Sequence, residues 1–164
     1  METGKKLETS RMNCLAIDGS KPCELAFEWY ANNYHRKGDT LILLHIHQMP
    51  QLPIAAILSG YCPTSEENRN QIDESIKDSE NVVEKFRCLC KENDIEFTEA
   101  VVDDNSKSVG CMICELARNK AADIIVLGQR GLGEWSRTLL GSTSDYVLHH
   151  SEVPVIVVPP NTLL

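Results

Sequence analysis

Apolar residues along this chain fall into two rhythms. Unbroken short runs occur at 12–17 (M-N-C-L-A-I), 40–46 (T-L-I-L-L-H-I), 123–127 (D-I-I-V-L) and 153–158 (V-P-V-I-V-V). Such runs, bounded by turn formers, predict strands buried on both faces. A further run at 95–102 (I-E-F-T-E-A-V-V) starts by alternating apolar and polar positions, which predicts a strand at or near a sheet edge. Between these runs the apolar residues step by three and four, the spacing of one helix face. Cys23, Ala26/Phe27, Tyr30 and Tyr34 predict a helix capped by Ser20, with Pro22 in its first turn, running to about Lys37 before Gly38-Asp39 stops it. Ile72, Ile76, Ser79, Val83, Phe86 and Cys90 predict a second helix, opened by a Thr64-x-x-Glu67 capping box and ending near Asn93. The turn-and-cap cluster D-D-N-S at 103–106 precedes a third, on Val109, Met112/Ile113 and Leu116/Ala117, that reaches Lys120. A last helix starts near Ser142 and carries Tyr146, Val147 and His150. Residues 47–63 hold several breakers and read as an irregular connection, with a helical turn at 54–58 over the sheet edge.

The resulting order, β-α-β-α-β-α-β-α-β, calls for an α/β fold with a mostly parallel sheet and helices on both faces. A doubly wound, Rossmann-like order 3-2-1-4-5 reverses direction between the first and fourth strands, and ligands in such sheets lie outside the carboxyl ends at that reversal. Residues 1–11 are polar and aperiodic and read as a flexible tail; residues 12–164 read as a single domain. No internal repeat interrupts this plan.

The stretch 121–144 carries the most distinctive chemistry. After the fourth strand come Gly128 and then twelve residues before Gly141, where strand-to-helix connections usually take only ~2–6. The pattern is G-x-x-G-x9-G-S, set by Gly128, Gly131, Gly141 and Ser142. Glycines let backbone approach phosphate oxygens and adopt positive φ. Ser142 and Thr143 would offer hydroxyls and N–H groups at the positive end of the last helix. Arg130 and Arg137 lie within the loop and are placed to neutralise phosphate charge. On the other side of the reversal point, Asp18 follows the first strand. It has two readings: Asp-Gly-Ser is good turn chemistry, and the position is also that of a ligand contact. The dinucleotide fingerprint and the P-loop are both absent.

Charge and cysteine content restrict the alternatives. With 164 residues and a formal net charge of −8, the chain is expected to repel nucleic acid and anionic membranes. No apolar run approaches the ~18 residues of a membrane span, which leads to the expectation of a cytoplasmic protein. The seven cysteines are odd in number and irregularly spaced, so a disulfide framework is not expected. Cys111-x-x-Cys114 falls within a helical apolar pattern and reads first as a pair of packed thiols. His45 and His47 share one strand face with no carboxylate nearby in sequence, so no metal site is assigned, and no catalytic residue is assigned anywhere.

The G-x-x-G-x9-G-S pattern after I-I-V-L, the A-I-D-G-S after the first strand, the L-L-H-I of the second and the closing V-P-V-I-V-V-P resemble the universal stress protein family, in its nucleotide-binding branch. The resemblance extends over residues 12–159. It implies the adenine-nucleotide α-hydrolase-like fold, a five-stranded parallel sheet of order 3-2-1-4-5, and ATP held with Mg²⁺. On the matching residues, Asp18 would meet the ribose or a phosphate-bound metal, and backbone near Ala16 and Ile46 would frame the adenine. Gly128, Gly131, Gly141, Ser142 and Thr143 would hold ribose and phosphates. Position 143 is threonine where the family often has a small apolar residue, but its amide remains available.

These features lead to the expectation of an ATP-binding module that reports nucleotide or stress status to an unidentified partner, with at most slow hydrolysis. The alternatives are an ATPase or adenylyl-transferring enzyme, and a dimeric scaffold without nucleotide. The continuously apolar last strand, residues 153–158, should lie at a sheet edge and pair with a second copy to form a homodimer.

Overall fold

A computed structural model describes residues 10–50, 58–60, 64–105, 107–129 and 140–160. Arg130, Gly131 and Arg137, Ser106, the 54–57 part of the expected helical turn, and all but the last two residues of the expected tail lie outside the described residues. Five strands, β1 (Met12–Ile17), β2 (Thr40–His47), β3 (Glu96–Asp103), β4 (Ile124–Gly128) and β5 (Val155–Val158), form one parallel sheet in the order β3-β2-β1-β4-β5. The topology is the one the sequence predicts. Parallel strands need crossovers, and these are α1 (Lys21–Trp29), α2 (Ser65–Glu92), α3 (Val109–Asn119) and α4 (Ser142–His150).

Covering both faces of the sheet explains why β1, β2 and β4 lack alternation. On one face Leu15, Ile17, Leu43 and Val126 pack against Phe27 of α1 and Phe86 of α2, whose rings meet edge-on at 5.9 Å. On the other face Cys14, Ile42, Leu44, Ile125 and Leu127 pack against Ile113 of α3 and Val147 of α4. β3 is an edge strand, as its alternation predicts: Glu96, Thr98, Glu99 and Val101 are exposed, while Ala100 is buried.

Three local expectations change. The first helix does not run as an α-helix to Lys37: it ends at Trp29 and widens into a π turn, Tyr30–Tyr34. The wider turn carries the fully buried Tyr30, whose hydroxyl accepts from Asn13 Nδ2 at 3.0 Å and lies 3.3 Å from His35 Nδ1. Ser20 occupies the N-cap position of α1, but its hydroxyl does not cap the helix; it donates to the Asp18 carboxylate instead. The stripe on α2 is only half buried. Val83, Phe86 and Cys90 are core, whereas Ile72 and Ile76 are 37% and 43% exposed. Lengths give the reason: the 28 residues of α2 span roughly 42 Å, and the eight of β2 roughly 26 Å. The first turns of α2, opened by the reciprocal Thr64–Glu67 capping box, therefore extend past the sheet.

At the amino end of the sheet, buried Asp39 ties the β1 and β2 entries together. It accepts from Arg11 Nε at 2.9 Å, from the Arg36 amide at 3.0 Å and from Asn13 Nδ2 at 3.3 Å. Burial pushes its carboxyl upward, but the Arg11 guanidinium and the Arg36 amide outweigh burial and hold it below the ordinary carboxylate range. At the carboxyl end, Gly128 provides a second tie. A Cβ there would sit 2.5 Å from the Pro22 carbonyl carbon and closer still to its oxygen, so β4 and the first turn of α1 touch backbone to backbone.

Asp39→Asn should lower unfolding free energy by about 2–3 kcal/mol in urea titrations near neutral pH, as expected for losing hydrogen bonds to a charged group. Because the folded value lies below the unfolded one, the wild-type advantage is present above about pH 4 and fades as pH falls through the folded value. Equal acid sensitivity of the two proteins would contradict this role. Gly128→Ala should cost about 1–3 kcal/mol by the same titration, because backbone rather than a movable side chain blocks the new methyl group.

Candidate functional site

The carboxyl ends of β1, β2 and β4 open into a cavity of about 570 Å³, closed on one side by the start of α4. It lies where the strand order reverses, between β1 and β4. The volume is within the ~300–1,000 Å³ range of small-molecule sites. The wall is built from three sets of residues, each set by local geometry.

The floor is apolar. Ala16 of β1 and Leu44 and Ile46 of β2 face the cavity, paired across the sheet in the register Ala16↔Leu44. Side chains two apart on a strand share a face, which puts 44, 46 and Gln48 on the cavity side and His45 and His47 on the other. Val109 and Ile113, one turn apart on α3, complete the apolar wall. Leu44, Gln48, Val109 and Ile113 are not among the expected site residues. The period-two rule on β2 and the four-residue step on α3 are the signals that locate them.

Asp18 lies at the cavity mouth, directly after β1. Its Oδ1 accepts from the Ser20 amide at 2.8 Å and from the Ser20 hydroxyl. Its own amide donates to Cys23 Sγ at 3.4 Å. The turn-chemistry reading of Asp18 is observed here. The carboxylate organises its own turn, and the same turn fixes it at the edge of the cavity.

The third set is the start of α4. Gly141 is the N-cap residue, with φ −62° and ψ 148° and no side-chain cap. This is extended backbone open to any residue, so the expected positive φ is not what glycine supplies there. Gly128 likewise serves packing against Pro22 rather than an unusual φ. The amides of Ser142, Thr143 and Ser144 occupy the first turn of a nine-residue helix, where N–H groups have no intrahelical acceptor. With no capping side chain at 141, they and the helix dipole make a positive rim. Gly128, Gly141, Ser142 and Thr143 all line the cavity, together with Ala16, Asp18 and Ile46. Arg130 and Gly131, the remaining expected contacts, lie outside the described residues.

The histidines on the opposite face of β2 have partners that sequence proximity does not reveal. His45 Nδ1 donates to the Ile17 carbonyl at 3.0 Å. His47 stands between Asp103 Oδ1, 2.9 Å from Nδ1, and Ser75 Oγ, 3.1 Å from Nε2. The order hydroxyl, imidazole, carboxylate matches a hydrolytic triad in distance. The surroundings do not suit acyl transfer, however. Ser75 lies inside α2, where backbone amides are spent on the helix ladder, and its hydroxyl also donates to the Ile72 carbonyl at 2.8 Å. These side chains instead fasten the overhanging part of α2 to the ends of β2 and β3. Among the described residues, no group of three or more His, Cys, Asp or Glu side chains is arranged to hold a metal, and no helix is long and apolar enough to cross a membrane.

Comparison with known proteins agrees with this architecture. The chain is 27% identical over 154 residues to the universal stress protein PHOS32 of Arabidopsis thaliana; the match takes in 88% of this chain but spans only 62% of that relative's length. In structure it is similar to a universal stress protein family protein from Arabidopsis thaliana with AMP bound, at a TM-score of 0.65 and 21% identity, covering 93% of each chain. It is also similar to the universal stress protein from Archaeoglobus fulgidus in complex with dAMP, at a TM-score of 0.58 and 18% identity, over 91% of this chain and 97% of that one. Residues 13–159 match the universal stress protein family as a whole, and the chain belongs to that family.

Proposed function

We propose that this chain is a nucleotide-binding module that holds ATP in the cavity at the reversal point and signals nucleotide status in a stress response. The observation that carries the reading is the uncapped start of α4 facing Asp18 across a cavity with an apolar floor. A nucleotide has a flat apolar base at one end and anionic phosphates at the other, and the cavity has the same polarity. The base would lie against Ala16, Leu44 and Ile46, walled by Val109 and Ile113. The phosphates would take the Ser142 and Thr143 amides and hydroxyls. Arg130 and Gly131 extend this proposal from the sequence. The AMP and dAMP in two structural neighbours support an adenine base.

Mg²⁺ suits the donor set: it takes hard oxygens, commonly one or two carboxylates together with phosphates. Among the described residues Asp18 is the acidic side chain lining the cavity and would hold it, and the metal would neutralise phosphate charge. Binding is favoured over turnover. Phosphoryl transfer needs a positioned nucleophile and a base, and among the described residues the carboxylate lining the cavity, Asp18, is the one that would hold the metal. We further propose that residues 12–164 act as a single cytoplasmic domain and that two copies pair through β5. That strand lies at the sheet edge, and Val155, Ile156 and Val157 are only half buried within one chain.

Calorimetric titration of the native chain should show binding of ATP and AMP in preference to GTP, tighter for ATP when Mg²⁺ is present. Gly141→Val should weaken ATP at least tenfold while leaving the circular dichroism unchanged, since valine accepts the extended backbone of position 141 but covers the first-turn amides. No binding by the native chain would sink the proposal; undiminished binding by the variant would move the phosphate site elsewhere. Light scattering at micromolar concentration should give the mass of a dimer, and a monomer at all concentrations would overturn the pairing.

A further inference from the structure

Away from the nucleotide cavity, a smaller one of about 150 Å³ lies between α3 and α4. Its walls include Cys111, Cys114, Glu115, Tyr146 and His150. We propose that Cys111 and Cys114 form a redox-active dithiol that closes to an intrahelical disulfide, and that closure weakens nucleotide binding in the neighbouring cavity. The second half of this statement rests on the nucleotide reading above; the first half does not.

Four observations support it. The thiols are three residues apart on α3, so they share one helix face, and both are half-buried rather than sealed in the core. By contrast, Cys14, Cys23 and Cys90 are buried. The two thiols are close enough to influence each other: burial pushes the Cys114 thiol up, and the neighbouring Cys111 adds to that. Cys111 also has a polar partner on its own helix, since its thiol donates to Glu115 Oε1 at 3.8 Å and Lys107 Nζ pairs with that carboxylate at 2.7 Å. Finally, the pair lies in the opening turns of α3: the Cys111 amide donates to the N-cap Ser108 hydroxyl at 3.2 Å.

This placement makes closure a mechanical event. Side chains three apart on a helix have Cβ atoms ~5–6 Å apart, while a disulfide requires ~3.5–4.5 Å. Forming the bond must therefore pull the first turn of α3 inward. Val109 and Ile113 belong to the same turns and line the nucleotide cavity. Gly110, between Val109 and Cys111, has no slack either, because a Cβ there would meet the Tyr146 ring and Cβ at 2.9 Å. Tyr146 in turn belongs to α4, whose first turn is the phosphate rim. A shift at the dithiol thus reaches both ends of the proposed nucleotide. Linkage is reciprocal, so bound nucleotide should favour the reduced helix.

The oxidant required is a low-molecular-weight disulfide. One cysteine thiolate attacks it, forming a mixed disulfide and releasing one thiolate. The second cysteine thiolate then attacks the protein-side sulfur and expels the other. The protein pair loses two electrons and two protons, and the reagent is reduced to two thiols.

The test equilibrates the native chain in oxidised and reduced glutathione at graded ratios, then alkylates, digests with trypsin and weighs the peptide 108–118. That peptide holds Cys111 and Cys114 and no other cysteine. The expected product is unalkylated and two hydrogens lighter than the reduced peptide, and ATP affinity in the same sample should fall about tenfold, within the usual range of coupling between sites. Cys111→Ser and Cys114→Ser should each abolish the light peptide and the affinity change, while Cys88→Ser should retain both. Full alkylation at every ratio would overturn the dithiol. A closed disulfide with unchanged ATP affinity would overturn the coupling. The peptide mass is read without nucleotide, so failure of the reduced chain to bind ATP would count against the nucleotide reading alone.

Discussion

Where β4 ends, its backbone rests on the first turn of α1, and no side chain fits between them. The contact at Gly128 and Pro22 is the constraint on which the rest of the site depends. It holds the exit of β4 beside the exit of β1, so the Asp18 turn and the start of α4 face each other instead of diverging with the sheet twist. Strand pairing alone does not ensure this. The β1–β4 register runs from Asn13 to Leu15 against Ile124 to Val126, short of the carboxyl ends of both strands. Beyond those residues the strands part, and the cavity is the gap their separation leaves. A parallel sheet that reverses its order must have such a gap; Gly128 sets its width.

The opposite end of the sheet solves a different problem. Around Asp39 the chain buries a carboxylate, an amide and a phenol in place of apolar residues. A buried carboxylate is tolerated only when charge and hydrogen bonds replace its water. Arg11, the Arg36 amide and Asn13 do so, and the π turn after α1 brings Tyr30 into the same cluster. At the amino end these groups meet one another and fix the entries of β1 and β2. Polar groups at the carboxyl end pair as well, Asp18 with Ser20 and His47 with Asp103, but one set there differs. The first-turn amides of α4 have no capping side chain among the described residues, which is the condition for meeting a ligand.

How far the sequence reveals this depends on the range of each interaction. Strands β1, β2 and β4 follow from apolar runs, and α2 from its capping box, because these signals are local. Their order follows from chain connectivity. The placement of Ala16, Asp18, Ile46 and Gly141 to Thr143 around one cavity then follows from the order. Contacts between residues distant in sequence cannot be read in this way. The glycine at 128 is visible, yet its partner Pro22 is not, so its packing role appears only in the structure. Ser20 is a good cap by type, but competition from Asp18 two residues earlier decides where its hydroxyl points. His47 has no acid nearby in sequence because Asp103 arrives from β3. The exposure of Ile72 and Ile76 is likewise a matter of helix length against sheet length, which periodicity does not report.

The two cavities lie on the same pair of helices, and this bears on what the domain is built to do. A site for turnover needs its reacting groups fixed independently of the surroundings. Here the proposed phosphate rim is the end of α4, and the proposed adenine wall is a face of α3. Both helices also meet at Gly110 and Tyr146, beside the thiols. Any displacement of one helix against the other must change both cavities. The proposed dependence of nucleotide affinity on a second chemical input rests on this shared helix pair, whose close packing at Gly110 and Tyr146 leaves little room to absorb a shift locally.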